Sequence, residues 1–215
     1  MDADWPGVID TDVLQASHIE AVNRLSDASK AGAWDEVFGL LDSNHVLSAN
    51  QWRITGDSWF TPLHQATWIG APVQVVKELT DRGAWRSLRN AENQRPVDIA
   101  RKRGHSHLVE ILDVRESGAQ ELRKFAAWDA HLARLITERT ERIDPVKIRQ
   151  VSTEVLALEP LANLFFGYPG MYGGFSLSLH KDRLLVESWS RVVGGSGQAH
   201  VITENACVLV EEGFV

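Results

Sequence analysis

Apolar residues recur at helical spacing through the first half of the chain. Ile19, Val22 and Leu25, with Ala21 and Ala28, form one stripe; Ser17 and Glu20 make a capping box ahead of it and Gly32 closes it. A second apolar helix follows over Asp35 to Leu41. The stretch from Thr61 to Gly70 is punctuated in the same manner, with Thr61 as cap, Pro62 at the first helical position and Gly70 as left-handed stop. At an offset of 34 residues Pro62, Leu63, Ala66 and Gly70 match Pro96, Val97, Ala100 and Gly104. Behind each glycine lies a further apolar helix, Val75 to Leu79 and Leu108 to Leu112. The spacing from Gly32 to Val37, Phe38 and Leu41 equals that from Gly70 to Val75, Val76 and Leu79. Residues 17–52 therefore read as a degenerate first copy of a tandem two-helix repeat.

The second half changes character after Glu116-Ser117-Gly118. Residues 119–142 predict one long helix with Leu122, Phe125, Trp128, Leu132, Leu135 and Ile136 on its apolar stripe. Asp144 and Pro145 predict the start of another helix, with Ile148, Val151, Val155 and Leu158 inward and a stop at Glu159-Pro160. Leu161 to Tyr172 is apolar and glycine-punctuated, which suggests a buried crossing or a cleft wall. The period then becomes two: Phe175, Leu177 and Leu179 alternate with serines and His180, Lys181-Asp182 makes a turn, and Arg183 to Val193 returns as a strand. Gly194 to Gly197 turns the chain again, and Ala199 to Thr203 and Cys207 to Glu211 complete a small antiparallel meander. Residues 1–16, acidic and broken by Pro6 and Gly7, read as an extended leader.

The marker Thr61-Pro62-Leu63-His64, the Gly83-Ala84 after the second helix and the period of the repeat resemble the ankyrin repeat. The third copy departs from it, with Arg95 in place of Thr and Asp98 in place of His. The resemblance implies a mainly α ankyrin-repeat solenoid over residues 17–118, in copies of about 17–52, 53–85 and 86–118. An acidic leader precedes it, and residues 119–215 follow as a capping helix plus a C-terminal α+β unit of two helices and a small antiparallel sheet. It also implies a concave binding face edged by finger loops. Trp52 and Trp59 fall in the first finger. Trp85, Arg86 and Arg89 fall at or in the second, Trp68 at a variable inner-helix position, and Lys102 and Arg103 at the positions matching Trp68 and Ile69. These eight residues are the candidate partner-binding set.

Charge sharpens that picture. The 215 residues carry a net charge of −7, against general nucleic-acid binding, which rests on basic residues neutralising phosphates. The distribution is uneven: residues 1–60 hold ten acids and three bases, whereas residues 82–103 hold seven bases and two acids. The basic stretch is either solvated repeat surface or a face for an acidic partner. No apolar run suits a membrane helix, and the N-terminus lacks signal-peptide features, so a cytoplasmic protein is expected. The single Cys207 offers neither an internal disulfide nor a thiolate cluster. His105 and His107, two apart on a helix, point in different directions and make a poor metal pair.

Catalysis is weighed on the meander. Glu187, Trp189 and Arg191 alternate onto one strand face, His200 on the next strand could lie opposite them, and Ser196 supplies a hydroxyl. No phosphate loop or nucleophile elbow orders these residues. The expectation is a non-enzymatic protein–protein interaction module without cofactor or metal, an adaptor or a cognate inhibitor of the immunity type, binding a protein with an acidic surface. It would be a monomer or a weak homodimer, the latter through a sheet edge ending in Phe214-Val215. The alternative is a small enzyme or ligand-binding protein with its site at Glu187, Arg191 and His200.

Overall fold

Three helices end on a glycine in the left-handed region, and they organise residues 14–115. These are α1 (Ala16–Ala31), closed by Gly32 at φ 71°, α3 (Pro62–Ile69), closed by Gly70 at φ 67°, and α5 (Pro96–Arg103), closed by Gly104 at φ 75°. At each stop the glycine N–H returns to two carbonyls of the last turn, a geometry that a side chain at that φ would strain. Each is followed by a partner: α2 (Trp34–Ser43), α4 (Val73–Asp81), and a 3-10 turn (Ser106–Leu108) leading into α6 (Val109–Leu112). The helices α1, α3 and α5 stand side by side and bury Val22, Leu25, Leu63, Ala66, Val97 and Ala100 against Val37, Val76, Leu79, Leu108 and Leu112. The Ser17 box is not used: Gln15 is the N-cap of α1 and gives no side-chain bond. At α3 the Thr61 hydroxyl lies 2.8 Å from His64 Nδ1, and both residues are buried. Asp98 takes over the histidine's task at α5, its carboxylate accepting the Arg95 N–H at 2.9 Å.

Residues 1–13 and 116–215 form the other compact unit, so the helical unit is inserted in sequence between two parts of it. The computed structural model describes residues 1–140, 144, 147–191 and 195–213. Its sheet has six strands in the order β1 (Asp2–Asp4), β2 (Asn163–Gly167), β3 (Gly174–His180), β4 (Arg183–Ser190), β5 (Ser196–Ile202) and β6 (Cys207–Gly213). The strands β2 to β6 are an antiparallel meander, and β1 adds to β2 in parallel, Ala3 opposite Leu164. One sheet face carries Leu164, Phe166, Phe175, Leu177, Leu184, Val186 and Ile202, all buried. Against it lie α7 (Ala119–Arg139), which packs on α8 (Thr153–Leu158), β5 and β6, and α8, which packs on β3. The predicted α7 stripe is the buried one, Phe125, Trp128, Leu132, Leu135 and Ile136, except that Leu122 is exposed.

This architecture corrects the expected class. The chain is an α+β protein with a six-stranded mixed sheet and not a mainly α ankyrin solenoid with a small antiparallel appendage. The difference arises at the leader and at Leu161 to Tyr172: the first becomes strand β1, and the second supplies β2, its parallel partner. The leader also captures the segment expected to begin a helix at Asp144. Arg149 N–H donates to Gly7 O at 2.7 Å, Ile9 N–H donates to Lys147 O at 3.0 Å, and Val8 bridges Ile148, so helix α8 begins only at Thr153. Pro145, Val193, Gly194, Phe214 and Val215, invoked for a helix start, a strand end, a turn and a dimer edge, lie outside the described residues. No helix among the described residues is long and apolar enough to cross a membrane.

Trp5 is the anchor of the leader. It is buried, its indole N–H donates to Arg149 O at 2.9 Å, and the Arg149 guanidinium lies 5.7 Å from its ring. A Cβ on Gly7 would stand 2.5 Å from that indole and 2.6 Å from Arg149 O. Gly7→Ala is therefore expected to destabilise the sheet unit by about 1 kcal/mol or more through overpacking, and calorimetric melting checks it. An unchanged melt would mean that the leader is not held as described.

Candidate partner-binding surface

The C-terminal ends of α3 and α5 lie on adjacent helices and raise an aromatic and a cation to the same level. Trp68 and Ile69 are 41% and 42% exposed, although they close a helix whose inner residues are buried. Arg103, the last residue of α5, lays its guanidinium over the Trp68 ring at 4.0 Å from the centroid. Phe60 meets the same ring edge-on at 5.7 Å, and His105 Nε2 lies 3.3 Å from Trp68 O. Cation–π contact and the edge-on phenyl leave the indole little rotational freedom. Lys102 extends the positive charge beside Arg103, with only a long contact of 3.9 Å to Glu92 between two exposed side chains, which contributes little. The result is an exposed, preorganised aromatic–cationic patch on capped helices.

The remaining predicted residues divide. Trp52 and Trp85 are 2% and 3% exposed and belong to the core, not to a surface. Asn50 explains this locally: its Nδ2 donates to Gly83 O at 2.8 Å and its Oδ1 accepts Trp85 N–H at 2.7 Å, which draws the loop after α2 onto the turn after α4. Trp59 is half-buried with φ 53°. Arg86 donates to Asp113 O at 3.4 Å and Arg89 to Asn93 O at 3.0 Å, so both guanidinium groups serve local carbonyls. Of the set, Trp68, Lys102 and Arg103 are brought together. Phe60 joins them through its edge-on contact with Trp68, whereas the Ile69 side chain lies against Gly32 at the end of α1. His105 and His107 face the carbonyls of Trp68 and Ala71.

The constellation on the sheet does not assemble. Val186 is opposite His200 and Glu187 is opposite Ala199, so His200 points to the helix-covered face while Glu187 and Trp189 point to the other. His200 is buried, and burial with Arg139 nearby holds its imidazole below its usual range. Ser196 is engaged by Arg139, which donates to its hydroxyl at 3.1 Å and to Ser188 Oγ at 3.1 Å. A strand's alternation was legible in the sequence, but its register against the neighbour was not. No family model matches the chain.

Proposed function

We propose that the protein acts without catalysis, by binding another protein through the exposed ends of α3 and α5. The observation that carries this reading is the Trp68 ring, 41% exposed yet held between Arg103 at 4.0 Å and Phe60 at 5.7 Å. Such a ring loses little entropy on contact, and aromatic and arginine side chains are the usual anchors of interfaces. Lys102 and Arg103 favour a partner with an acidic surface and speed its encounter. An adaptor or a cognate inhibitor both fit this mode, and a cytoplasmic setting suits the lone Cys207.

The test is affinity capture by the full chain and by its Trp68→Ala and Arg103→Glu variants, with circular dichroism as the folding control. Each variant is expected to weaken capture of the partner by about tenfold or more while retaining the wild-type spectrum. Equal capture by wild type and both variants would overturn the assignment of this surface.

A further inference from the structure

The face of the sheet turned away from α7 and α8 carries two instructive rows. In one, Phe165, Ser176, Glu187, Ala199 and Glu211 follow one another across β2 to β6. In the next, Gly167, Gly174, Trp189, Gly197 and Gly213 do the same, so an indole stands with glycines on both sides. Toward β2 the indole stacks on Phe165, ring centroids 5.5 Å apart at 28°. Gly174 permits that stack, since a Cβ there would meet the Phe165 ring at 2.7 Å. Toward β6 the absence of side chains at Gly197 and Gly213 opens a depression of about 290 Å³, which Glu187, Trp189, Arg191, Ala199 and Glu211 also line. A Cβ at Gly213 would meet nothing within 4 Å.

The two carboxylates flank the small Ala199, with their backbones two strand spacings, or roughly 10 Å, apart. Neither has an ion-pair partner among the described residues, and Arg191 borders the depression without pairing to either. An aromatic wall, a floor of glycine and alanine, and two acids that outnumber the one bordering cation, Arg191, define the guest. It must be cationic, flat enough to stack on an indole, and carried on an apolar stem. A guanidinium meets all three conditions: it stacks on aromatic faces and forks two N–H groups to a carboxylate. An ammonium is a compact, strongly hydrated point charge and gains less from the wall.

We propose that this slot binds a guanidinium group, as an arginine side chain of a peptide or as a small arginine-like molecule. The slot belongs to the sheet unit, and its chemistry does not depend on the patch on α3 and α5.

Titration of the full chain, followed by amide and indole NMR shifts, tests it with three probes: N-acetyl-arginine amide, the blocked tripeptide Gly-Arg-Gly, and N-acetyl-citrulline amide, the neutral isostere. Both arginine probes are expected to shift Gly197, Ala199, Gly213 and the Trp189 indole. The citrulline probe and the double variant Glu187→Gln, Glu211→Gln should each bind about tenfold more weakly or worse. The exposed position of both acids lets the variant keep the wild-type pattern elsewhere in the spectrum. A tighter tripeptide assigns the guanidinium to a peptide, and equal affinities assign it to a small molecule. Equal binding of citrulline, shifts located elsewhere, or no shift up to about 10 mM would overturn the proposal.

Discussion

Replacing Trp52 with alanine is expected to remove about 3–5 kcal/mol from the stability of the helical unit, the cost of truncating a large, fully buried aromatic. Trp52 is 2% exposed in the loop between α2 and α3, a segment that also buries Leu47, Ala49 and Ile54. For a unit of this size such a loss lowers the melting temperature by well over 10 °C. Trp68→Ala, at an exposed site, should shift the melt by a small fraction of that, since it gives up one cation–π contact and one edge contact. The pair separates the two roles that tryptophan plays in this unit. Scanning calorimetry of both variants decides it: coincident melts of Trp52→Ala and wild type would mean that the loop is not part of the core.

Asp129→Asn should stabilise the sheet unit at neutral pH and leave it unchanged near pH 4. Asp129 lies on α7 and its Oδ1 accepts the Thr153 N–H at 2.8 Å, which caps α8. Burial pushes its carboxyl up to about 6, and the bonds from Thr153 only partly offset this. The unfolded chain ionises this group near 3.8, so between about pH 4 and 6 the folded state binds more protons and stability falls as pH rises. Above pH 6 the full cost is present, about 1–3 kcal/mol once solvent screening of the partly exposed group is allowed for. Asparagine keeps the acceptor for Thr153 and never ionises. Chemical denaturation at pH 7.5 and pH 4 checks the claim, and equal effects at the two values would remove ionisation as the cause.

Several local signals survived into the structure, although the Ser17 box did not, and non-local pairings could not be read. The glycine stops at Gly32, Gly70 and Gly104, the stripe of α7 and the alternation of Phe175 and Leu177 with serines are each written within a few neighbouring residues. By contrast, β1 has three residues and no period to display, and its strand character depends on Leu164 far along the chain. The burial of Trp52 and Trp85 depends on the contacts of Asn50 across the repeat. In the candidate patch, Trp68, Lys102 and Arg103 could be found by matching helix positions, whereas the exclusion of Trp52 and Trp85 could not. Likewise the slot beside Trp189 required the register that aligns Gly174, Gly197 and Gly213 with it. Counting along one strand does not supply that register.

The parallel pairing of β1 with β2 also orders events in time. During synthesis β1 and Trp5 emerge first, while Asn163 to Gly167 emerge only after the whole helical unit, on the order of 10 s later at ordinary elongation rates. Every element of the helical unit, residues 14–115, is made within that interval. Throughout it the leader has no strand to join, and an apolar indole stays open to chaperones or to aggregation. A ribosome stalled before residue 163 therefore leaves β1 without its parallel partner, and the sheet gains strands β2 to β6 only after the helical unit has been made.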